Sequence, residues 1–392
     1  MIRYRSGTWP NHRSNPLSST AEYAIDPLEV ASWIRLEQTP GIGNVTARHL
    51  LVQFGLPENI FAASYAALSA VVGKPLASAL TAPVPLRTRH LIDQTLRWLQ
   101  HNGHHFLTLA DPRYPQALLD IADPPIVLYV KGRVALMHKL AIAVVGSRNA
   151  TAQGLLNAEQ FAGSLSQAGF VVVSGLAMGI DAAAHTGALR HAGSTIAVIG
   201  TGIDIIYPAR NRALATRIAD DGCLVSEYAL GTGALAANFP RRNRLISGLS
   251  RAVLVIEAAA RSGSLITARV AAEQGRDVFA IPGSIHAPLS KGCHWLIKQG
   301  AKLVESAQDV LEEIVPFTQA PASSTAGLPA LLPALPPALA ALLDTLGFDP
   351  VDSDTLVART GLDVAVLSAQ LLELELLGCL EVLPGGNYRR VG

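Results

Sequence analysis

The sequence predicts an α/β protein built on a doubly wound parallel sheet, and three observations predict it. Unbroken apolar runs of strand length, the pattern of strands buried on both faces, alternate with helical periodicity from Leu140 to Ile281. Most of these runs end in glycine, as at Gly146, Gly175 and Gly200. The stretch Phe239 to Gly283 then reads strand, loop, helix, strand, the parallel crossover unit. Such a sheet collects its ligand groups at the carboxyl ends of its strands.

The 392 residues suggest two or three domains, and with 49% hydrophobic and only 16% charged residues a large core is within reach. A net charge of +1 excludes a global basic field, so any nucleic-acid footprint is a local patch. Cys223, Cys293 and Cys379 are far apart, with no zinc or redox spacing, which suits thiols in a reducing cytosol. No apolar run reaches spanning length. Arg3 and Arg5 have no apolar segment behind them to make a secretory signal, and residues 1–25 are expected to be disordered. The expected location is cytoplasmic, with no membrane, metal or cofactor.

Taken in order, residues 26–110 are helical. Thr39-Pro-Gly-Ile-Gly-Asn-Val-Thr-Ala-Arg48 sets two glycines around one apolar residue before a helix, which suits a helix-hairpin-helix phosphate contact or a plain tight turn. A second helix near Leu86 to His101 precedes His101, His104 and His105, which lack a carboxylate or thiol companion and read as surface histidines. Residues 111–315 carry the sheet: strands at Leu140–Val145, Phe170–Val173, Thr195–Ile199, Leu224–Ser226, Ala252–Glu257 and Asp277–Ile281, five or six of them parallel. Residues 316–337, rich in Pro and Ala without charge, read as a linker. Residues 338–392 show three short helical patterns and a final hairpin, which fits a winged helix. Its third helix, Val364 to Leu377, carries Glu373 and Glu375 but no Lys or Arg, so it suits a protein partner better than a DNA backbone.

The strand ends supply the candidate site. Gly146, Ser147 and Arg148 follow one strand; Ser174, Gly175 and Gly179 line another; Thr201-Gly202 mark a third. Arg241, Arg242, Asn243 and Arg244, beside Phe239, mark a fourth, and Ser262, Gly263 and Ser264 lead into a helix at a fifth. Guanidinium forks and helix N-termini on one rim suit successive phosphates, and Phe239 offers a base a stacking face. The plainer reading is that the glycines only close turns and the arginines only pair with acids. Catalytic machinery is thin: no Gly-x-Gly-x-x-Gly follows the first strand, and there is no P-loop, nucleophile elbow or metal cluster. Asp181 and His185, four apart on one helix, suit an acid/base pair or simply a fixed helix start.

The motifs GSR at 146–148, SGLAMGIDAAAH at 174–185, GTGIDIIYPARN at 200–211, FPRRNRLISGLS at 239–250, EAAARSGSLITA at 257–268, GRDVFAIPG at 275–283 and SKGCHWLIKQGAKLV at 290–304 resemble the DprA/Smf family. The resemblance covers about 111–304 in family order. It implies an extended Rossmann-like domain that binds single-stranded DNA, protects it and helps load the RecA recombinase during natural transformation, as a homodimer without established turnover. It also implies that Arg148 and Arg241 to Arg244 contact DNA. The helical module, of a SAM or helix-hairpin-helix kind, and the winged-helix tail suit it too. The alternative is a nucleotide phosphoribohydrolase on a related sheet. Those enzymes carry Pro-Gly-Gly-x-Gly-Thr where this chain has Ile281-Pro-Gly-Ser-Ile, and Glu257 would be the residue to test.

Overall fold

The structure, a computed structural model, describes residues 26–314, 335–347, 350–383 and 386–391. The expected disordered N-terminus and nearly all of the expected linker lie outside the described residues. Six helices open the chain: α1 (Pro27–Gln38), α2 (Asn44–Phe54), α3 (Pro57–Ala62), α4 (Tyr65–Val72), α5 (Lys74–Thr81) and α6 (Leu86–Trp98). Asp26 caps α1 by accepting from the Leu28 N–H, with Pro27 at the first helical position. The Gly41-Ile42-Gly43 turn joins α1 to α2, and Gly41 has a positive φ of 80°.

A nine-stranded sheet follows: β1 (His104–Thr108), β2 (Val127–Gly132), β3 (Ala141–Gly146), β4 (Val171–Ser174), β5 (Thr195–Val198), β6 (Cys223–Ser226), β7 (Ala252–Ile256), β8 (Asp277–Ala280) and β9 (Lys302–Leu303). Its order is β1-β2-β6-β5-β4-β3-β7-β8-β9. Strands β3 to β9 run parallel, while β1 and β2 close one edge antiparallel. The doubly wound expectation holds, and the sheet is larger than expected. It starts at His104, before Asp111, and its far edge is the exposed pair Lys302–Leu303.

Side chains alternate between two buried faces, which is why the strands read as unbroken apolar runs. On one face Ala143, Val145, Val173, Val198 and Val255 pack against α11 (Asn238–Gly248), α12 (Gly263–Glu273) and α13 (Lys291–Lys298), with α7 (Gln116–Leu119) beside them. On the other, Ile142, Val144, Val172 and Leu254 meet α8 (Ala152–Gln167), α9 (Ile180–Ala188) and α14 (Ala307–Ile314). That layer is completed over β5, β6, β2 and β1 by α10 (Arg212–Asp221) and by the N-terminal helices, whose Trp33, Ile34 and Leu50 share a core with Tyr129, Ala197 and Leu224. The helical module is thus part of the sheet's own packing.

The tail holds α15 (Pro337–Leu346), β10 (Val351–Asp352), α16 (Ser353–Thr360), α17 (Val364–Leu376), β11 (Leu380–Leu383) and β12 (Asn387–Arg390), with its own core around Leu342, Leu356, Leu371 and Leu374. Its strand order is β10-β12-β11, a winged helix. Among the described residues no single helix is long and apolar enough to cross a membrane.

Candidate nucleic-acid interface

Chain order runs outward from β3 through β4, β5 and β6 on one side, and through β7, β8 and β9 on the other. The sheet therefore switches direction between β3 and β7, the place where such folds open a ligand crevice. A crevice of about 400 Å³ lies there. Gly146 to Asn149 line it from the end of β3, and Arg261 to Ser264 from the end of β7. Gly146 is required by packing: a Cβ there would sit 1.8 Å from the Ile256 carbonyl oxygen on β7. A second opening of about 420 Å³ adjoins the first, sharing Arg148, Ala177, Phe239, Pro240 and Arg242 with it and adding Met178 and Tyr207. Together they make one groove along the rim.

Its polar ends are built from two sides. At the β7 side Ser262 caps α12: its Oγ accepts from the Ser264 N–H at 3.3 Å and lies 2.6 Å from Ser264 Oγ. Apart from its chain neighbours and the backbone of its own helix, no atom lies within 4 Å of where a Gly263 Cβ would stand, so the positive helix end is open to an anion. At the β3 side Arg148 is exposed and, among the described residues, forms no ion pair. Between them Phe239 meets Tyr207 with ring centroids 5.5 Å apart, and Tyr207 is half exposed. The groove combines the exposed guanidinium groups of Arg148 and Arg261, a helix start and two rings.

The arginine cluster differs from expectation. Residues 241–244 lie within α11, not at a strand end, and successive side chains on a helix diverge by about 100°. The three arginines therefore point to different places. Arg241 is exposed on a separate cleft shared with Gly43, Arg87 and Leu230. Arg244 is 8% exposed, and Glu227 and Asp123 pair with it, the latter at 3.0 Å from Nε. Its guanidinium is thus engaged by two carboxylates within the fold. Arg242, 4% exposed, lies beneath the groove floor, where its Nη1 donates to the carbonyls of Gly175, at 2.7 Å, and Val198. Burial, opposed by Asp181, lowers its pKa to about 10, so it keeps its charge and lends the floor a positive field. Asn243 is half-buried in the crevice wall and accepts from Arg242 Nε.

Ser174 and Gly175 also depart from expectation. Ser174 is fully buried and its hydroxyl donates to the Val144 carbonyl at 2.7 Å. Gly175 leaves room for Arg242, since a Cβ there would stand 2.5 Å from its guanidinium. Gly179, at φ 76°, packs against the Ser147 carbonyl. Asp181 and His185 fix the loop and are not joined to each other. Asp181 accepts from the N–H groups of Gly175 and Ala177, and Asn211 donates to the carbonyls of Leu176 and Ala177. His185 Nε2 accepts from Leu176 N, so Nδ1 carries the proton and donates to Thr195 Oγ1 at 2.7 Å. Burial and the neighbouring Arg242 push its pKa down to about 3. These groups hold Ala177 and Met178 at the groove's edge, a role composition alone did not reveal. Arg261 was also missed, although it directly precedes the serine-glycine turn. Glu257, at a strained φ of 50°, accepts from both the N–H and the hydroxyl of Thr151 and so anchors the start of α8.

The thiols and histidines are unremarkable. All three cysteines are free and buried. No metal-binding group of His, Cys, Asp and Glu occurs among the described residues. His104 and His105 lie on β1, half-buried, with His104 stacked on Trp98 at 4.3 Å.

Comparison with known proteins agrees with the motif resemblance. The sequence model of the DNA recombination-mediator protein A family matches residues 105–315, and that of the DprA winged helix domain matches 326–386. Protein Smf of Escherichia coli is 44% identical over 313 residues, 77% of this chain and 81% of that protein. The DNA processing protein DprA of Streptococcus pneumoniae is 52% identical over 206 residues, 53% of this chain and 73% of its own. The X-ray structure of the Streptococcus pneumoniae DprA superimposes with a TM-score of 0.58 at 38% identity, covering 74% of this chain and 99% of that one. The chain belongs to the DNA recombination-mediator protein A family, the DprA/Smf family.

Proposed function

We propose that the chain binds single-stranded DNA along the rim groove, gripping phosphates and base faces and reading little sequence. In this role it protects the strand and helps load the RecA recombinase onto it, as a cytoplasmic homodimer joined through the Rossmann-like domain. The observation that carries the reading is the groove itself. Arg148 and Arg261 stand without carboxylate partners among the described residues, beside an open helix start and the Phe239–Tyr207 rings. Cations answer the backbone and rings answer any base, since every base has a π-face. Gly146, Ser147, Gly263 and Ser264 supply backbone and small side chains close to the phosphates. Membership of a DNA recombination-mediator family supports the same substrate class.

Fluorescence anisotropy with an oligothymidylate tests the reading. Arg148→Ala is expected to weaken binding and lower the salt dependence by about 0.7 in the slope of log K against log salt for each phosphate released. Unchanged affinity and slope would remove the groove from consideration. Sedimentation of the DNA-free protein at micromolar concentration tests the dimer, and filament assembly by RecA on coated strands tests the loading step.

The phosphoribohydrolase alternative needs a free carboxylate at the strand ends. The Glu257 carboxylate is engaged by Thr151, which speaks against that reading. Release of free base from nucleoside monophosphates, abolished by Glu257→Ala, would restore it.

A further inference from the structure

The groove has a continuation. A third opening, about 720 Å³, adjoins the crevice across a common wall formed by Arg261, Ser262, Gly263 and Ile266. Its other wall comes from α12 and α13, which present Arg269, Lys291, His294, Trp295 and Lys298. No Asp or Glu lines it. Among the described residues neither Arg261, Arg269, Lys291 nor Lys298 pairs with a carboxylate, and the Lys291 ammonium donates only to the Ile285 carbonyl. Four like charges around one concavity repel one another, and that repulsion is relieved when an anion enters.

The second independent feature is Trp295. α13 already seats Gly292, Cys293 and Leu296 in the core, so it does not need the indole for packing. Trp295 is 43% exposed on the opening side, beside Ile266 and the more exposed Ile285. A flat ring surrounded by ammonium and guanidinium groups suits a base flanked by its own phosphates. A duplex keeps its bases stacked inside and has none to offer that ring.

We propose that this face is a second binding segment for single-stranded DNA. A strand leaving the crevice passes the start of α12, stacks a base on Trp295 and lays its phosphates against Arg269, Lys291 and Lys298. The proposal rests on the single-strand reading of the crevice and extends it by one segment.

Two oligothymidylates test it by anisotropy: a hexamer that fills the crevice alone, and a strand of about twenty nucleotides, within the reach of extended single-strand tracks. The wild-type protein should bind the longer strand more tightly. Trp295→Ala should lower affinity for the longer strand roughly tenfold, the scale of one lost base stack, and leave the hexamer unaffected. Arg269→Ala with Lys298→Ala should do the same and flatten the salt slope for the longer strand only. Tryptophan emission should be quenched by the longer strand in the wild type and much less in Trp295→Phe, which keeps a ring and so retains most of the affinity. Unchanged long-strand binding in both variants, with tight hexamer binding, overturns the second segment and leaves the crevice standing. No binding of either strand by the wild type overturns the crevice reading itself. A change of sedimentation in Trp295→Ala marks the face as a protein interface and overturns the proposal. So does equal sensitivity of a blunt duplex to that substitution.

Discussion

Removing the Arg242 guanidinium leaves the carbonyls of Gly175 and Val198 without their donor, and the buried Asp181 without the cation that offsets its burial. A buried acceptor left without its donor costs about 1–3 kcal/mol, and two carbonyls lose theirs here, so Arg242→Ala should lower the urea midpoint sharply, with any loss of DNA binding following the loss of fold. Arg148→Ala should leave the midpoint alone and affect binding only. The contrast separates a structural cation from a ligand cation of the same chemistry. His185 gives a pH prediction. Its folded pKa, about 3, lies below the ordinary value of 6.5, because burial and then the neighbouring Arg242 guanidinium disfavour a charged imidazole there. The unfolded chain therefore takes up the proton first. The stabilisation is complete above the ordinary imidazole value and is lost as pH falls through the window toward the folded one. The free-energy gap between wild type and His185→Gln should shrink by about 1.4 kcal/mol per pH unit across that window. A flat difference would show that the imidazole is not buried neutral.

At the level of elements, the central strands were legible because both faces are buried, so each appears as an uninterrupted apolar run. β1 was not, since His104 and His105 occupy half-buried places on an edge strand and break the pattern. The Ser262 turn was legible because helix caps have a chemistry of their own. The arginines were visible as a cluster but not as directions, because three charges within four residues say nothing about helical phase until the helix is known. Arg244 and Glu227 illustrate this: they are 17 positions apart, and only the fold brings them together. Glu257 was legible as a strand end and opaque as a partner of Thr151. Because its carboxylate anchors the start of α8 with two hydrogen bonds, Glu257→Ala should destabilise the chain by about 1–3 kcal/mol while leaving single-strand affinity within twofold. Affinity falling further than the folded fraction would give Glu257 a direct place in the groove.

At the scale of the whole molecule, the helical module and the sheet share one core, whereas the buried side chains of the tail pack among themselves. A chain ended after Ile314 therefore keeps every described contact of the sheet's cores and should fold, with its own cooperative transition. What it loses is α17, a helix that bears Glu373 and Glu375 and no Lys or Arg, and that leaves Leu372 and Leu376 exposed. Its carboxylates would raise the free energy of a nearby phosphate chain, and its exposed leucines suit an apolar partner. The shortened chain should thus bind an oligothymidylate about as tightly as the full chain, within roughly threefold, and with the same salt slope, since the number of phosphates neutralised is unchanged. A tenfold loss together with a shallower slope would place the tail on the DNA, through cations elsewhere in the winged helix such as Arg359. A tenfold loss with the slope intact would instead point to lost self-association, and sedimentation of the two chains side by side decides between those outcomes.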